Sequence, residues 1–387
     1  MDLIKLIKEE LGEDLTPSEL NNIYEKLTII RQVNPEYTES KLIEILIQLN
    51  QPRQKIEDYK KPINDIEEIT LMSKDREILK INKGNITIIN KGLLPLPLRS
   101  LSKIDYSNLY RWLTKRTLPI DRINAKKILN YLKLPQVGVE NIILYCKGLS
   151  VTDTYWLRIN NKEETWDTVN LYSNKFSHTL AHLALFGQTP PSIQHRIRTP
   201  ELTNQGAYAK TWLRKNNEIY LYKANTQNGV EAENEYVSTK VLEILKIPHV
   251  EYYIELYENR ICSVCKNLTN EDMSIVTYDD ITTFYYNLGV DRTNQIILKD
   301  SKMFYQMLLF DGLVNNTDRH SNNWGFYMDA NTGAVLGIHP LFDHNNAFDI
   351  DNEHAQSLII NNKTLLETAK HAYIKLNKPQ EVSDLYK

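Results

Sequence analysis

The sequence predicts an α+β protein built from more than one compact part, and three observations carry that prediction. Period-two alternation in EILKINKGNITII and again in NEIYLYKAN reads as strand. Helical period recurs in TESKLIEILIQL, EAENEYVSTKVLEILK and SKMFYQMLLFDGLV. At 387 residues the chain is long enough for two or three domains and a sizeable core.

Taken in order, Thr16-Pro17-Ser18-Glu19 has a capping-box spacing with Pro at the first helical position, and a second helical pattern starts at Thr38. Residues 1–52 therefore read as a helical segment, and the charged residues 53–76, with Pro62, read as a linker. A hairpin in EILKINKGNITII, with Gly84-Asn85 in its middle, opens a mixed α/β segment over residues 77–190. Two helices follow, DYSNLYRWLTK from Asp105 and DRINAKKILNYLK from Asp121, separated by a turn containing Pro119. Mixed strand and helix signals run from Trp156 to Leu185, and Pro190-Pro191 marks a break before the region 191–387.

Hydrophobic residues at 42% and charged residues at 25% are ordinary globular values. The 46 basic and 49 acidic residues leave a net charge of −3, so nothing global points to nucleic acid or an acidic membrane surface. The N-terminus MDLIKLIKEELGED lacks the apolar core of a signal peptide, and no apolar run approaches the roughly 18 residues of a membrane span. Three cysteines in so long a chain argue for a reducing compartment, and the chain reads as cytoplasmic. Cys262 and Cys265 form a CxxC, but with Cys146 as the only other thiol a four-thiolate zinc site is excluded.

Chemistry concentrates in the last region. In NEIYLYKAN, alternation points Ile219, Leu221 and Lys223 to one face, and an inward lysine calls for an anionic partner. Glu235, twelve residues on in EAENEYVSTKVLEILK, sits at the edge of that helix's apolar stripe. Strand lysine followed by helix glutamate is the arrangement kinases use to hold nucleotide phosphates. Upstream, in LTNQGAYAKTW, Gly206 with its neighbours Thr203, Asn204, Gln205 and Ala207 could let backbone amides approach a phosphate. A single glycine matches neither the P-loop nor GxGxxG, and a plain hairpin turn accounts for the stretch equally well.

After the helix SKMFYQMLLFDGLV comes the polar burst NNTDRHSNNWG. Its Asp318 and Asn323 are five residues apart, the Asp-to-Asn interval of a kinase catalytic loop, in which the Asp takes the acceptor's proton and the Asn binds a metal ion. A strand through Asp329, a turn at Asn331-Thr-Gly333 and a second strand, AVLGIHPLF, then return Asp343 beside Asn323, making a two-oxygen site for Mg2+. An Asx-rich turn before a hairpin explains any one of these pieces. It does not explain their order.

From about Thr199 the chain resembles the catalytic region of HipA-type kinases, whose motifs run glycine-containing loop, strand Lys, helix Asn-Glu, N-x-D-R-H-x-x-N and P-L-x-D. Residue by residue, Lys223 resembles the nucleotide lysine and Asn234-Glu235 the helix motif. Asp318 resembles the catalytic base, and Asn323 and Asp343, the latter closing Pro340-Leu-Phe-Asp, resemble the magnesium ligands. DRHxxN followed by a metal Asp is also similar to phosphoinositide lipid kinases, and the region before Thr199 resembles N-terminal extensions of HipA-like proteins of Gram-positive bacteria. The resemblance implies a bilobal protein-kinase-like fold, ATP and Mg2+ as cofactors, and transfer of the γ-phosphoryl to Ser or Thr of a protein. It also implies a toxin-type role with an antitoxin or other regulatory protein as partner. Arg319 is expected to pair with a carboxylate, His320 to pack, and Met273, Tyr278 and Phe284-Tyr285-Tyr286 to lie in the core.

Two other readings share these residues. A kinase for a small molecule or lipid headgroup would use the same phosphate machinery, whereas a nucleotide-dependent, DNA-linked regulator would use the segment from Arg99 to Lys133. There nine Lys and Arg stand against two Asp, a local net of +7. A pure binder has no need of the base Asp318, and a basic helix pair is more often a solvated face. Duplex DNA is accordingly expected to bind only through phosphates, at roughly 10⁻⁴ to 10⁻⁶ M at physiological salt, and to be lost steeply as salt rises. Fluorescence anisotropy across a salt series checks this, and a nanomolar sequence-selective complex would promote the regulator.

Overall fold

The computed structural model describes residues 68–385 apart from 135–137, 161, 189–199, 204–205, 227–228, 290–291, 350 and 353, together with Tyr24 and Thr38. The chain divides into compact units at Met1–Ile66 and Glu67–Lys387. The helices expected from Thr16 and Thr38 lie outside the described residues.

The second unit opens with an antiparallel sheet in the order β3-β2-β1-β4, formed by β1 (Glu68–Ser73), β2 (Arg76–Asn82), β3 (Asn85–Ile88) and β4 (Tyr155–Ile159). The expected linker over 53–76 thus stops short of Arg76, because the apolar EITLMS is itself a strand whose last four residues are buried. The hairpin occurs where expected, but its turn is Lys83-Gly84. Asn82 pairs with Asn85, and Lys83 and Gly84 take φ of 46° and 82°, the two left-handed positions of a tight hairpin turn.

Between β3 and β4 lie α1 (Tyr106–Thr114), α2 (Ala125–Tyr131) and α3 (Val139–Cys146). Asp105 caps α1 by accepting from the Asn108 amide, as the sequence pattern requires. The basic character of this segment is partly spent inward. Arg116 makes a buried bidentate pair with Asp153, Arg122 donates to the Lys210 carbonyl, and Arg99 holds the Leu94 and Gly333 carbonyls. α4 (His178–Phe186) then packs on the next sheet.

That second sheet, in the order β5-β6-β8-β7, comprises β5 (Lys210–Lys215), β6 (Glu218–Ala224), β7 (Tyr252–Tyr257) and β8 (Arg260–Lys266), with α5 (Glu231–Leu245) against it. Cys262 and Cys265 are buried on opposite faces of β8, where burial pushes both thiols up to about 12, and Cys146 is likewise a buried free thiol. A third sheet, β11-β10-β9, contains β9 (Met273–Thr277), β10 (Gly325–Asp329) and β11 (Val335–Ile338). α6 (Tyr278–Asn287) and α7 (Arg292–Leu313) pack on it, and α8 (Leu365–Lys375) packs on α7.

Asp300 leaves helical geometry inside α7, with φ −155° and ψ 72°. Its carboxylate accepts from the Met303 amide, starting the second half of the helix, and from the Ile338 amide of β11. Tyr278 stacks on buried Trp324 at 4.2 Å, as expected of a core residue, whereas Tyr286 is 75% exposed because it falls on the outer side of α6.

The connector between β8 and β9 is bound to the first sheet's region at every step. Thr269 and Asn267 donate to the Val151 carbonyl, Trp166 Nε1 donates to Glu271 at 2.6 Å, and Lys74 pairs with Asp272 at 3.1 Å. Arg76 reaches past it to the carbonyls of Ala330 and Asn331 in the β10–β11 turn.

His339, just past β11, is fully buried, stacked on Phe342 at 5.0 Å and bonded to the Pro340 carbonyl. Burial holds its imidazole down at about 4. An unfolded histidine titrates near 6.5, so below that pH the unfolded chain takes up a proton that the folded chain refuses, and stability is lost as pH falls toward 4. Urea unfolding should show about 2 kcal/mol less stability at pH 5 than at pH 7 from this group, a slope that His339→Asn should remove.

Candidate active site

The loop between α7 and β10 holds the polar burst, and its side chains divide between building the loop and serving the cleft. Asn316 and Arg319 turn inward. Asn316 Nδ2 donates to Asp311 Oδ1 at 2.9 Å, and the Arg319 guanidinium, 2% exposed, pairs with the same carboxylate at 3.1 Å. Arg319 Nη1 also donates to the carbonyls of Asn323 at 2.7 Å and Phe342 at 2.8 Å, while Nη2 meets His344 Nδ1 at 3.0 Å. Arg319 therefore pairs with a carboxylate, as the sequence predicts. It also draws Asn323 and the residue before Asp343 to a single nitrogen.

The loop's far end is anchored as firmly. The Tyr278 and Asp279 amides donate to the carbonyls of Trp324 and Ser321, and a Cβ on Gly325 would lie 2.0 Å from the Val276 carbonyl oxygen. Glycine is what lets β10 approach β9 so closely. Asp318 is left partly exposed, and Asn323 Nδ2 donates to its backbone carbonyl at 2.8 Å. His320 does not pack as expected. Its ring is 44% exposed and accepts from the Asn322 amide, because the tight turn from Asp318 to Asn323 points it outward.

Lys223 of β6 is the centre of charge. Its Nζ lies 2.5 Å from Glu235 Oε1 and 2.7 Å from Asp343 Oδ1. Glu235 is completely buried rather than at the edge of its helix's apolar stripe, and its second oxygen accepts from Ser263 of the neighbouring strand. Burial pushes the Glu235 carboxyl up against the pull of Lys223. Burial also works against the charge on Lys223, but the two carboxylates overcome it and hold the ammonium well above the lysine range. At Asp343, burial is overcome by Lys223 and then Lys210, which keep the carboxyl far below its ordinary value. Asp343 adopts φ 60°, a conformation tolerable for Asp, and its amide donates to Tyr252 Oη.

Lys210 is a cation that sequence patterning did not single out. It faces Lys223 across the β5–β6 register and forms no ion pair among the described residues. Burial brings its amine down to about 8, with Lys223 and Arg122 adding to the fall and Asp343 opposing it. Gly206, at φ 87°, makes room for it, since a Cβ there would stand 2.7 Å from Lys210 Nζ. Its position in QGAYAKTW, four residues after the glycine and at the start of the strand, was the available signal. Of the other loop residues, Ala207 is exposed and bonded through its carbonyl to the Ile123 amide. The Thr203 amide and hydroxyl both donate to the Pro200 carbonyl in a buried turn. Asn204 and Gln205 lie outside the described residues.

Through Arg319 the backbone of Asn323 and that of the residue before Asp343 meet, and an amide and a carboxylate are the oxygen donors that suit a hard divalent cation such as Mg2+, which characteristically takes one or two protein ligands and completes its shell with phosphates and water. Among the described residues no group of three or more His, Cys, Asp or Glu is arranged to hold a metal on protein ligands alone.

No family model matches the chain. Over 82% of its length it superposes on 87% of the HipA chain in a Shewanella oneidensis HipA, HipB and operator DNA complex, with TM-score 0.52 and 15% identity. The fold is that of HipA-type kinases. By sequence the chain is 26% identical over 151 residues to the serine/threonine-protein kinase CtkA of Helicobacter pylori, a match covering 33% of this chain and 46% of that one. The chain thus spans about half the length of this curated relative. The crystal structure of CtkA aligns over 38% of this chain and 58% of its own, with TM-score 0.32 and 22% identity.

Because Arg319 is shared by both halves of the site, removing it should be felt globally. Arg319→Ala leaves Asp311 buried without its partner and should lower unfolding free energy by about 3–5 kcal/mol, read by urea titration.

Proposed function

We propose that the chain is a HipA-like serine/threonine kinase that transfers the γ-phosphoryl group of ATP, with Mg2+, to a hydroxyl of a protein. The observation that carries this reading is Lys223 held between Glu235 and Asp343 beside the loop of Asp318 and Asn323. Bound Mg2+ would neutralise phosphate charge, with Asn323 and Asp343 as its protein ligands.

Lys223 and Lys210 would face the phosphates, and Gly206 and Ala207 would leave backbone room for them. Asp318 would orient the acceptor hydroxyl and take its proton as the oxygen–phosphorus bond forms. The bond from Pγ to its bridging oxygen breaks, and ADP leaves with the electron pair. The Shewanella HipA is described with HipB and operator DNA. By that likeness a small antitoxin-type protein is the partner we assign to this chain, and direct DNA contact is not, given the inward use of Arg99, Arg116 and Arg122.

Incubation with γ-labelled ATP and a bacterial lysate, followed by identification of the labelled species, tests the activity and the acceptor together. Variants separate the roles. Asp318→Asn should retain nucleotide and Mg2+ binding by thermal shift while transfer falls about 10²- to 10⁴-fold. Asp343→Asn should weaken the magnesium-dependent part of nucleotide binding as well as transfer, and Lys223→Ala should weaken ATP binding and abolish transfer. Parental transfer by both aspartate variants would overturn the assignment.

A further inference from the structure

Two side chains that the reaction scheme leaves unused stand in line with Asp318. Asn346 Nδ2 donates to Asp318 Oδ2 at 3.0 Å, and Tyr208 Oη donates to Asn346 Oδ1 at 3.4 Å. Otherwise, among the described residues, the Asp318 carboxylate meets only Asn323 Nδ2 at 3.5 Å and His320 Nε2 at 3.9 Å. Asn346 thus supplies its one contact of ordinary hydrogen-bond length. The side chain of Asp318 is 35% exposed, so packing alone does not fix its rotation.

The backbone that carries Asn346 is fixed on both sides. Asn234 Nδ2 of α5 donates to the Asn345 carbonyl at 2.9 Å, the Ala347 amide to the His344 carbonyl, and the Phe348 amide to the Val314 carbonyl. The same short segment therefore follows Asp343, touches the helix of Glu235 and returns to the start of the polar loop. An amide side chain suits the position, because its oxygen accepts from a hydroxyl while its nitrogen gives to a carboxylate, and the two bonds together set its plane.

We infer that Asn346 is the positioning residue for Asp318, with Tyr208 setting the plane of the Asn346 amide. By holding Oδ2, Asn346 leaves Oδ1 turned to the acceptor hydroxyl, and it makes the alignment of the base depend on the strand-entry segment that also carries Gly206 and Lys210. This rests on the phosphotransfer reading above.

Asn346→Ala should lower kcat about 10- to 100-fold while KM for ATP stays within about twofold, the signature of a misaimed base rather than a lost nucleotide contact. Asn346→Asp keeps the shape, loses the donor and should lose at least as much, so the test survives if the alanine variant folds poorly. Tyr208→Phe should cost about 3- to 10-fold alone and nothing further on top of Asn346→Ala, since both act through one amide. Crystal structures of the Asn346 variants should show the Asp318 carboxylate rotated with the Arg319–Asp311 pair unmoved. Parental kcat in both Asn346 variants, a loss confined to KM, full additivity of Tyr208→Phe, or an unmoved Asp318 carboxylate would each overturn the inference. If the parent protein transfers no phosphate, the kinase reading fails instead, and the carboxylate position in the variant structures still decides this one.

Discussion

The buried guanidinium of Arg319 is the constraint on which the site depends. One planar group satisfies Asp311 at the end of a long helix, two backbone carbonyls from different strand ends, and a histidine next to Asp343. The segments of Asn323 and of Phe342 to His344 are irregular, and irregular backbone inside a protein must find partners for its polar groups. Arginine, with five donors in a rigid fork, supplies several at once, and a lysine could not. The polar burst in the sequence is thus explained in part: Asn315, Asn316, Arg319 and the Asn323 amide nitrogen hold the loop, which leaves the Asp318 carboxylate partly exposed.

Charge around Lys223 follows a different logic. Two carboxylates and one ammonium lie together, Lys223 and Glu235 buried and Asp343 half-buried, leaving an excess negative charge that Lys210 offsets from the adjacent strand without an ion pair to either acid. Glu235 is tied to Ser263 as well, so one side of the arrangement is rigid, whereas Asp343 belongs to the segment that follows β11 of the third sheet. The lysine therefore joins the second sheet to that segment before any ligand is considered. Such a cluster is costly to bury and is retained where charge itself is the purpose.

Much of this was legible in the residues. Lys223, Glu235, Asp318, Asn323 and Asp343 each sit in a segment whose local pattern announces strand, helix or turn, and their order along the chain limited what could bring them together. Partners that come from far away were not legible. Asn346 reaches Asp318 from 28 positions on, Tyr252 reaches the Asp343 amide across 91, and nothing in either local pattern signals the pairing. The complete burial of Glu235 was missed because the helical stripe says which side faces the protein, not how deeply a neighbouring strand covers it. The local bonds of Thr203 to the Pro200 carbonyl were not legible either, since a hydroxyl satisfies nearby carbonyls as readily as it does ligands. The linker over 53–76 ended too late because charge density masked a short apolar strand.

The connector between β8 and β9 has little freedom of its own. Val151, Trp166 and Lys74, all from the first sheet's surroundings, hold it from behind, and Arg76 continues across to the β10–β11 turn. In a two-lobed enzyme that strip of chain is the axle on which the cleft opens. Here the axle is splinted, so rocking one lobe on the other must either drag the four-stranded sheet along or break several hydrogen bonds together. The front half of this unit thereby acts as a stiffening frame that clamps the β8–β9 connector and the β10–β11 turn together.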